Sequence, residues 1–409
     1  MDFSSEAKSH HHDTHALPPI PIQEAYLHYN KVKRAELEQD DDLLYFGREL
    51  SEKQRDIWRP AGTISASVIE NACNDYCKAA LPDHDLPSQT DFKDATIYEH
   101  KDIPGLQIVP GILPMETQIL FTSQLLHRDL ADPKHKINLE ADYHIPYPPP
   151  TSKPQCPAPS RSFFSYPQST PSQLLHPKAP TTTPTTAADP PPPPPKPPLN
   201  MAQFLASKLR WLTLGEQYDW PTRSYGVTRT PFPRDLAALV AALFRPRHDI
   251  RPESGVVLVY SGKDYMPVHR DVSEFCQRPL ASFSLGCEGV FVIGRAEEGG
   301  GAAGEAEHGD GDGDGGGARR QSQSVKARPR PDRTVAIRVR SGDCVLLSGE
   351  ARWAWHAMPR TIAGTCPEPL AVWPVGTPGA GEAERRAYAK WKGYMGTKRI
   401  NISCRQVWD

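Results

Sequence analysis

Apolar and polar positions alternate with two different periods along this chain. Residues 115–127, METQILFTSQLLH, carry apolar side chains at helical spacing, which predicts a helix starting after Pro114 and reaching about His127 behind a short strand-like start in IPGLQIVP. MAQFLASKLRWLTL from Met201 reads as a helix leading into a strand, and RDLAALVAALF as a second helix ending before Pro246. Period-two and short continuous apolar runs then follow: 255–260, 280–286, 290–294, 334–339, 344–349 and 399–404. Short strands between Gly, Pro and Asp turns, preceded by helices, predict an α+β protein built on an antiparallel sandwich or jelly roll.

Composition limits how much of the chain this core can occupy. The 409 residues include 44 Pro and 29 Gly, only 38% are hydrophobic, and mean hydropathy is -0.56. One compact domain of that length needs more apolar surface to offset chain entropy. Of the prolines, 20 fall between Pro146 and Leu199, with an unbroken run from Pro190 to Pro195, so 146–199 reads as an extended linker. Its aromatic cluster, Phe163, Phe164 and Tyr166, reads either as a segment docked on a folded neighbour or as apolar residues within the linker. A second tract, rich in Gly and Asp from Glu297 and followed by basic residues to Arg333, reads as a solvated loop. The expected organisation is a partly disordered, partly helical segment 1–99, a helical segment 100–145 packed on the core, the linker 146–199, and a main domain 200–409 with disordered insertion 297–333.

Charge and cysteine content narrow the function classes. A net charge of -2 gives no bulk attraction to nucleic acid or membrane, so a basic contact surface has to be local. No apolar run is long enough for a membrane span, and the first 30 residues lack a secretory signal. Eight Cys lie singly, without zinc-site spacing, which predicts reduced thiols. The chain is expected in the cytoplasm and/or nucleus, with a mitochondrial site left open, and with no membrane and no stable protein partner.

The candidate chemistry begins in VVLVYSGKDYMPVHRDVSE. His269 and Asp271, expected on one strand, would face the same side and share a metal ion. The same His-x-Asp spacing occurs at His11 and Asp13 and at His308 and Asp310, in polar tracts with nothing to hold a site. Downstream, His356 in CVLLSGEARWAWHAMPR supplies a distant second imidazole, or else is a packed residue beside tryptophan. Two His and one carboxylate on a β scaffold form a facial triad that suits Fe(II) and leaves three positions open. In RINISCR, Arg399, Asn401, Ser403 and Arg405 share one face of a strand, and two guanidiniums there match a dicarboxylate. The alternative is the solvent face of an edge strand.

These motifs, in this order, resemble the AlkB family of Fe(II)- and 2-oxoglutarate-dependent dioxygenases, and within it the AlkB homolog 1-like group. The likeness covers residues 100–145 and 200–409, through LRWLTLGEQYDW, PFPRDL, HRDVSE, RPLASFSLG, SGDCVLLSG with HAMPR, and RINISCR. It implies a double-stranded β-helix (jelly-roll) core with supporting helices. His269, Asp271 and His356 would hold Fe(2+), Arg399 would pair with the distal carboxylate of 2-oxoglutarate, and Tyr260, Asn401 and Arg405 would complete the co-substrate pocket. Trp211, Tyr218 and Trp220 are candidates to stack on a substrate base, or to pack in the core.

The implied activity is oxidative demethylation of N-methylated bases in RNA, tRNA included, or DNA, consuming O2 and releasing formaldehyde, succinate and CO2. Two other readings stand beside it: oxidation of a protein side chain on the same iron, and a non-catalytic scaffold with a degraded pocket. One position favours the last. Where the family has Asn-x-Tyr, this chain has Leu258, Val259 and Tyr260, so one amide hydrogen bond to the co-substrate is missing, worth roughly 0.5–1.5 kcal/mol.

Overall fold

A computed structural model describes residues 16–82, 91–149, 162–169, 174–179, 196–219, 221–226, 229–245, 247–295 and 334–408. An eight-stranded sheet runs in the order β2 (Trp58–Ile64), β3 (Ala95–His100), β4 (Leu106–Val109), β15 (Cys344–Leu347), β12 (Leu280–Gly286), β17 (Arg399–Arg405), β10 (Ser254–Tyr260), β7 (Trp211–Gly215). A five-stranded sheet runs β1 (Leu43–Leu44), β14 (Thr334–Val339), β13 (Glu288–Gly294), β16 (Trp355–Ile362), β11 (Met266–His269), antiparallel except for β1. Two small two-stranded sheets complete the strands among the described residues: β5 (Tyr143–His144) with β6 (His176–Pro177), and β8 (Tyr218–Asp219) with β9 (Ser224–Tyr225).

The period-two pattern decides what each face meets. In the large sheet Val257, Val259, Ala281, Phe283, Leu346, Ile400 and Ile402 point outward into a core shared with helices. Their alternates, among them Tyr260, Leu280, Val345 and Leu347, point inward and meet Ile293, Val335, Ile337 and Met358 of the small sheet. Helices Ala66–Ala80, Met115–Ser123 and Arg234–Phe244 cover the outer face. The last of these shows why: Leu236, Leu239, Val240 and Leu243 form one stripe at helical spacing, and each side chain removed from water contributes about 1.5–3 kcal/mol. Across the small sheet lies the helix Ile20–Lys31, with Ile22 and Tyr29 packed on Val290, Val292, Trp355 and Ile362. A jelly-roll core with supporting helices is the fold expected from the strand pattern.

Several local expectations change. Residues 1–99 were expected to be partly disordered and partly helical, but β1 to β3 lie among them; the strand-like start expected in IPGLQIVP is β4, which pairs directly with β15, Ile108 opposite Val345. Within the proline-rich tract, Phe163 and Phe164 are fully buried, and Phe164 meets Trp373, Trp391 and Tyr394 edge-on at 4.9, 5.3 and 5.0 Å. Proline removes backbone donors from a segment, yet it does not stop neighbouring aromatics from burying their area. The glycine-rich insertion lies outside the described residues. The strands flanking it pair as a hairpin, Gly294 opposite Thr334. Among the described residues no helix is long and apolar enough to cross a membrane.

Candidate metal centre and co-substrate pocket

Two strands of the small sheet bring the imidazoles together. β11 and β16 pair antiparallel with His269 directly opposite His356, and the ring centroids are 4.3 Å apart. Each ring is fixed by its own chain: His269 Nδ1 lies 2.8 Å from the Pro267 carbonyl oxygen, and His356 Nδ1 lies 3.1 Å from that of Ala354. A carbonyl only accepts, so both Nδ1 atoms carry a proton, which leaves Nε2 of each ring as the nitrogen available to a metal. This is the orientation by which outer hydrogen bonds prepare a metal ligand.

Asp271 completes the group. Its Oδ2 is 3.8 Å from His356 Nε2, and one ligand atom from each of the three residues lies within 4.8 Å of the others. The expectation that His269 and Asp271 share a strand is corrected here: β11 ends at His269, and Asp271 sits in the loop beyond it. Side chains instead hold the carboxylate. Burial raises its pKa, but Arg405, then His356 and His269, outweigh that and keep it well below the usual carboxylate range. Burial, then the neighbouring His269, pushes His356 down to about 4, so at neutral pH it is an uncharged donor. Two imidazoles and one carboxylate on one side of a cavity fit a divalent first-row metal such as Fe(II).

The floor of the cavity is the inward face of β17 and its neighbours. Arg399 is 1% exposed; its Nη2 donates to Ser284 Oγ at 3.0 Å, while Nε and Nη1 are buried without a partner. Burial lowers this guanidinium to about 10, with Tyr260, Asp343 and Cys287 opposing, so it stays cationic at neutral pH. Tyr260 is its cross-strand neighbour on β10. Orphaned charged donors on a cavity wall are costly unless an anion completes them, and a carboxylate fits the planar fork.

The other predicted residues are differently placed. Asn401 lines the cavity but spends its amide protons on Ser282 Oγ at 2.8 Å and the Phe283 carbonyl at 3.0 Å. Arg405 was expected to face the co-substrate; it also lines the cavity, yet its Nη2 is 3.0 Å from Asp271 Oδ2 and its Nη1 donates to Glu274 Oε1 at 2.7 Å. Leu258 lies across from Asn401 and lines the same wall. At the mouth, Tyr218 of the β8–β9 hairpin lines the cavity, with its hydroxyl 3.3 Å from Ser273 Oγ. Trp211 sits on the edge strand β7 and does not line it, and Trp220 lies outside the described residues. The cavity measures about 560 Å³, within the range that encloses a small ligand.

Residues 172–405 match the 2OG-Fe(II) oxygenase superfamily. The chain belongs to that superfamily, in its AlkB branch. It is 35% identical over 318 residues to the "N6-methyladenosine RNA demethylase ALKB1" of Pyricularia oryzae, covering 77% of each chain. Over 291 residues it is 33% identical to the "N6-methyladenosine RNA demethylase ALKBH" of Cryphonectria parasitica, covering 69% of this chain and 99% of that one. Identity to the "tRNA demethylase abh1" of Schizosaccharomyces pombe is 25% over 317 residues, covering 76% and 82%.

In this AlkB-type oxygenase the sequence reading overlooked Glu274 and Arg352, whose side chains are both 1% exposed beside the metal ligands. A signal was available: Arg352 interrupts an apolar and aromatic run, Ala351 to Trp355, where an unpaired charge would not be tolerated.

Proposed function

We propose that this protein is an Fe(II)- and 2-oxoglutarate-dependent oxidative demethylase of N-methylated nucleobases, acting on RNA, tRNA included, or on DNA. The observation that carries the reading is the pairing, in one cavity, of two Nδ1-anchored imidazoles and a carboxylate with a buried Arg399 that has two donors unfilled. The names of the relatives, two RNA demethylases and a tRNA demethylase, give the substrate class.

In this reading His269, Asp271 and His356 would hold the metal. The bound iron, with O2 and 2-oxoglutarate, supplies oxidation of an unactivated C–H bond, coupled to loss of CO2 and formation of succinate. Arg399 pairs with the distal carboxylate of the co-substrate through a guanidinium edge that includes one of its unpartnered nitrogens, Nε or Nη1, and Tyr260 lies on the same wall. Ser282 and Ser403 hold Asn401 so that it shapes the pocket floor. Leu258, Leu280, Phe291, Val345 and Leu347 add an apolar stretch to the lining. Tyr218 at the mouth offers a ring face to a base turned out of its stack.

Anaerobic iron loading followed by measurement of succinate from 2-oxoglutarate tests the enzymatic part. Wild-type protein turns over and His269→Ala does not; equal rates for the two would overturn it.

A further inference from the structure

Four charged side chains close a ring around the loop that carries Asp271. Arg405 Nη2 is 3.0 Å from Asp271 Oδ2, and Arg405 Nη1 donates to Glu274 Oε1 at 2.7 Å. Glu274 Oε2 is 3.0 Å from Arg352 Nη2, and Arg352 Nη1 returns to the loop, donating to the Asp271 backbone carbonyl at 2.8 Å. The Tyr225 hydroxyl adds a further hydrogen bond to Glu274 Oε1 at 3.2 Å. Two guanidiniums and two carboxylates balance within the ring.

We propose that Arg352 is a positioning residue for the metal centre: it locks the main chain of Asp271 to the segment that delivers His356. Three features carry this. Arg352 lies in the short helical turn Gly349–Trp353, four residues before His356, so its backbone is tied to one imidazole ligand. Its contact with Asp271 is to the carbonyl, so it sets the position of the ligand residue without competing with a metal for the carboxylate. Because Asp271 lies beyond the end of β11, no ladder hydrogen bond fixes it, and the Arg352 and Arg405 contacts take over that task. The guanidinium makes two contacts at once, an ion pair with Glu274 in which Nη2 and Oε2 are close but not aligned for a hydrogen bond, and the Nη1 hydrogen bond to the Asp271 carbonyl; a single ammonium meets one or the other.

The inference rests on the metal-binding reading of His269, Asp271 and His356, and Mn(II) titration of the full chain separates the two. Absence of Mn(II) binding by the wild type would remove the underlying reading. If the wild type binds, Arg352→Lys is expected to weaken Mn(II) about 10-fold or more, the usual cost of losing an outer hydrogen bond to a metal ligand, and to broaden the Co(II) ligand-field spectrum. Its metal-free melting temperature should stay within a few degrees of the wild type. A folded Arg352→Lys with Mn(II) affinity within twofold of the wild type, and an unaltered Co(II) spectrum, overturns the proposal. Should Arg352→Lys fail to fold, the double variant Arg352→Gln, Glu274→Gln leaves no buried charge unpaired within the Arg352–Glu274 contact. It is still expected to bind Mn(II) about 10-fold more weakly if Arg352 positions Asp271. Restored wild-type affinity in that double variant would mean that Arg352 merely neutralises Glu274.

Discussion

Gly289 of β13 leaves the space through which Arg399 passes. A Cβ at Gly289 would stand 2.9 Å from Arg399 Nε, 3.0 Å from its Cδ and 2.8 Å from Met358 Sδ. Gly289→Ala therefore has to displace the guanidinium or the strand, and overpacking of this kind costs about 1–3 kcal/mol. The expected result is a folded protein whose 2-oxoglutarate affinity, measured calorimetrically on the Mn(II)-loaded form, drops roughly 10-fold. Unchanged affinity would mean that Arg399 does not bind the co-substrate.

Arg399 itself gives a graded test. Hydrogen bonds to charged groups contribute about 1.5–3 kcal/mol each, so Arg399→Met should raise the KM for 2-oxoglutarate by about 10–100-fold or more. Arg399→Lys keeps the charge without the fork and should fall between the two. Affinity for nucleic acid should move by less than about twofold in both variants, because the orphaned donors lie on the pocket floor.

Leu258 is an apolar side chain where the AlkB pattern has Asn. It faces the cavity across from Asn401, whose amide protons are already committed to β12. Leu258→Asn is expected to tighten 2-oxoglutarate binding by about 0.5–1.5 kcal/mol, roughly 2–10-fold. Equal or weaker binding would show that no acceptor on the co-substrate lies within reach of position 258.

Far from the metal, His127 is buried between Ser162 and Thr377 and stacked on Tyr388 at 4.6 Å. Burial pushes its pKa down from 6.5 to about 3. Between those values the unfolded chain holds a proton that the folded chain does not, so this contribution is complete above pH 6.5 and declines as pH falls towards 3. A slope of up to about 1.4 kcal/mol per pH unit is expected from this one group. Urea midpoints at pH 7 and pH 5 measure it, and His127→Gln should reduce the difference between them. An unchanged difference would show that His127 is not what titrates.

The parts of the fold that were legible are those with strong local periodicity. The strand Leu280–Gly286 and the helix Arg234–Phe244 stand where the apolar pattern puts them. Of the strands carrying the two imidazoles, the one at His269 was expected, but with the histidine at its start, whereas it closes β11; β16 was not seen as a strand. β11 is four residues, MPVH, and β16 contains Pro359, which lies where the register with β13 shifts between Val290 and Val292. Proline and histidine make these strands look like loops, and their partners are distant in sequence. His269, Asp271 and His356 could still be picked out, because their residue types and order carry the chemistry whatever the local structure. Arg405 shows the opposite limit: its face was legible, but its engagement with Asp271 and Glu274 depends on the loop after β11.

The central claim is that this metal centre removes methyl groups from nucleobases. The most direct test incubates the full chain with Fe(II), 2-oxoglutarate and O2 on total tRNA, and separately on genomic DNA, and then quantifies methylated nucleosides by mass spectrometry. Loss of an N-methylated nucleoside with matching formaldehyde release, absent in His269→Ala, is the predicted result. Unchanged methylated nucleosides in both pools, under conditions where 2-oxoglutarate is turned over to succinate, would contradict it.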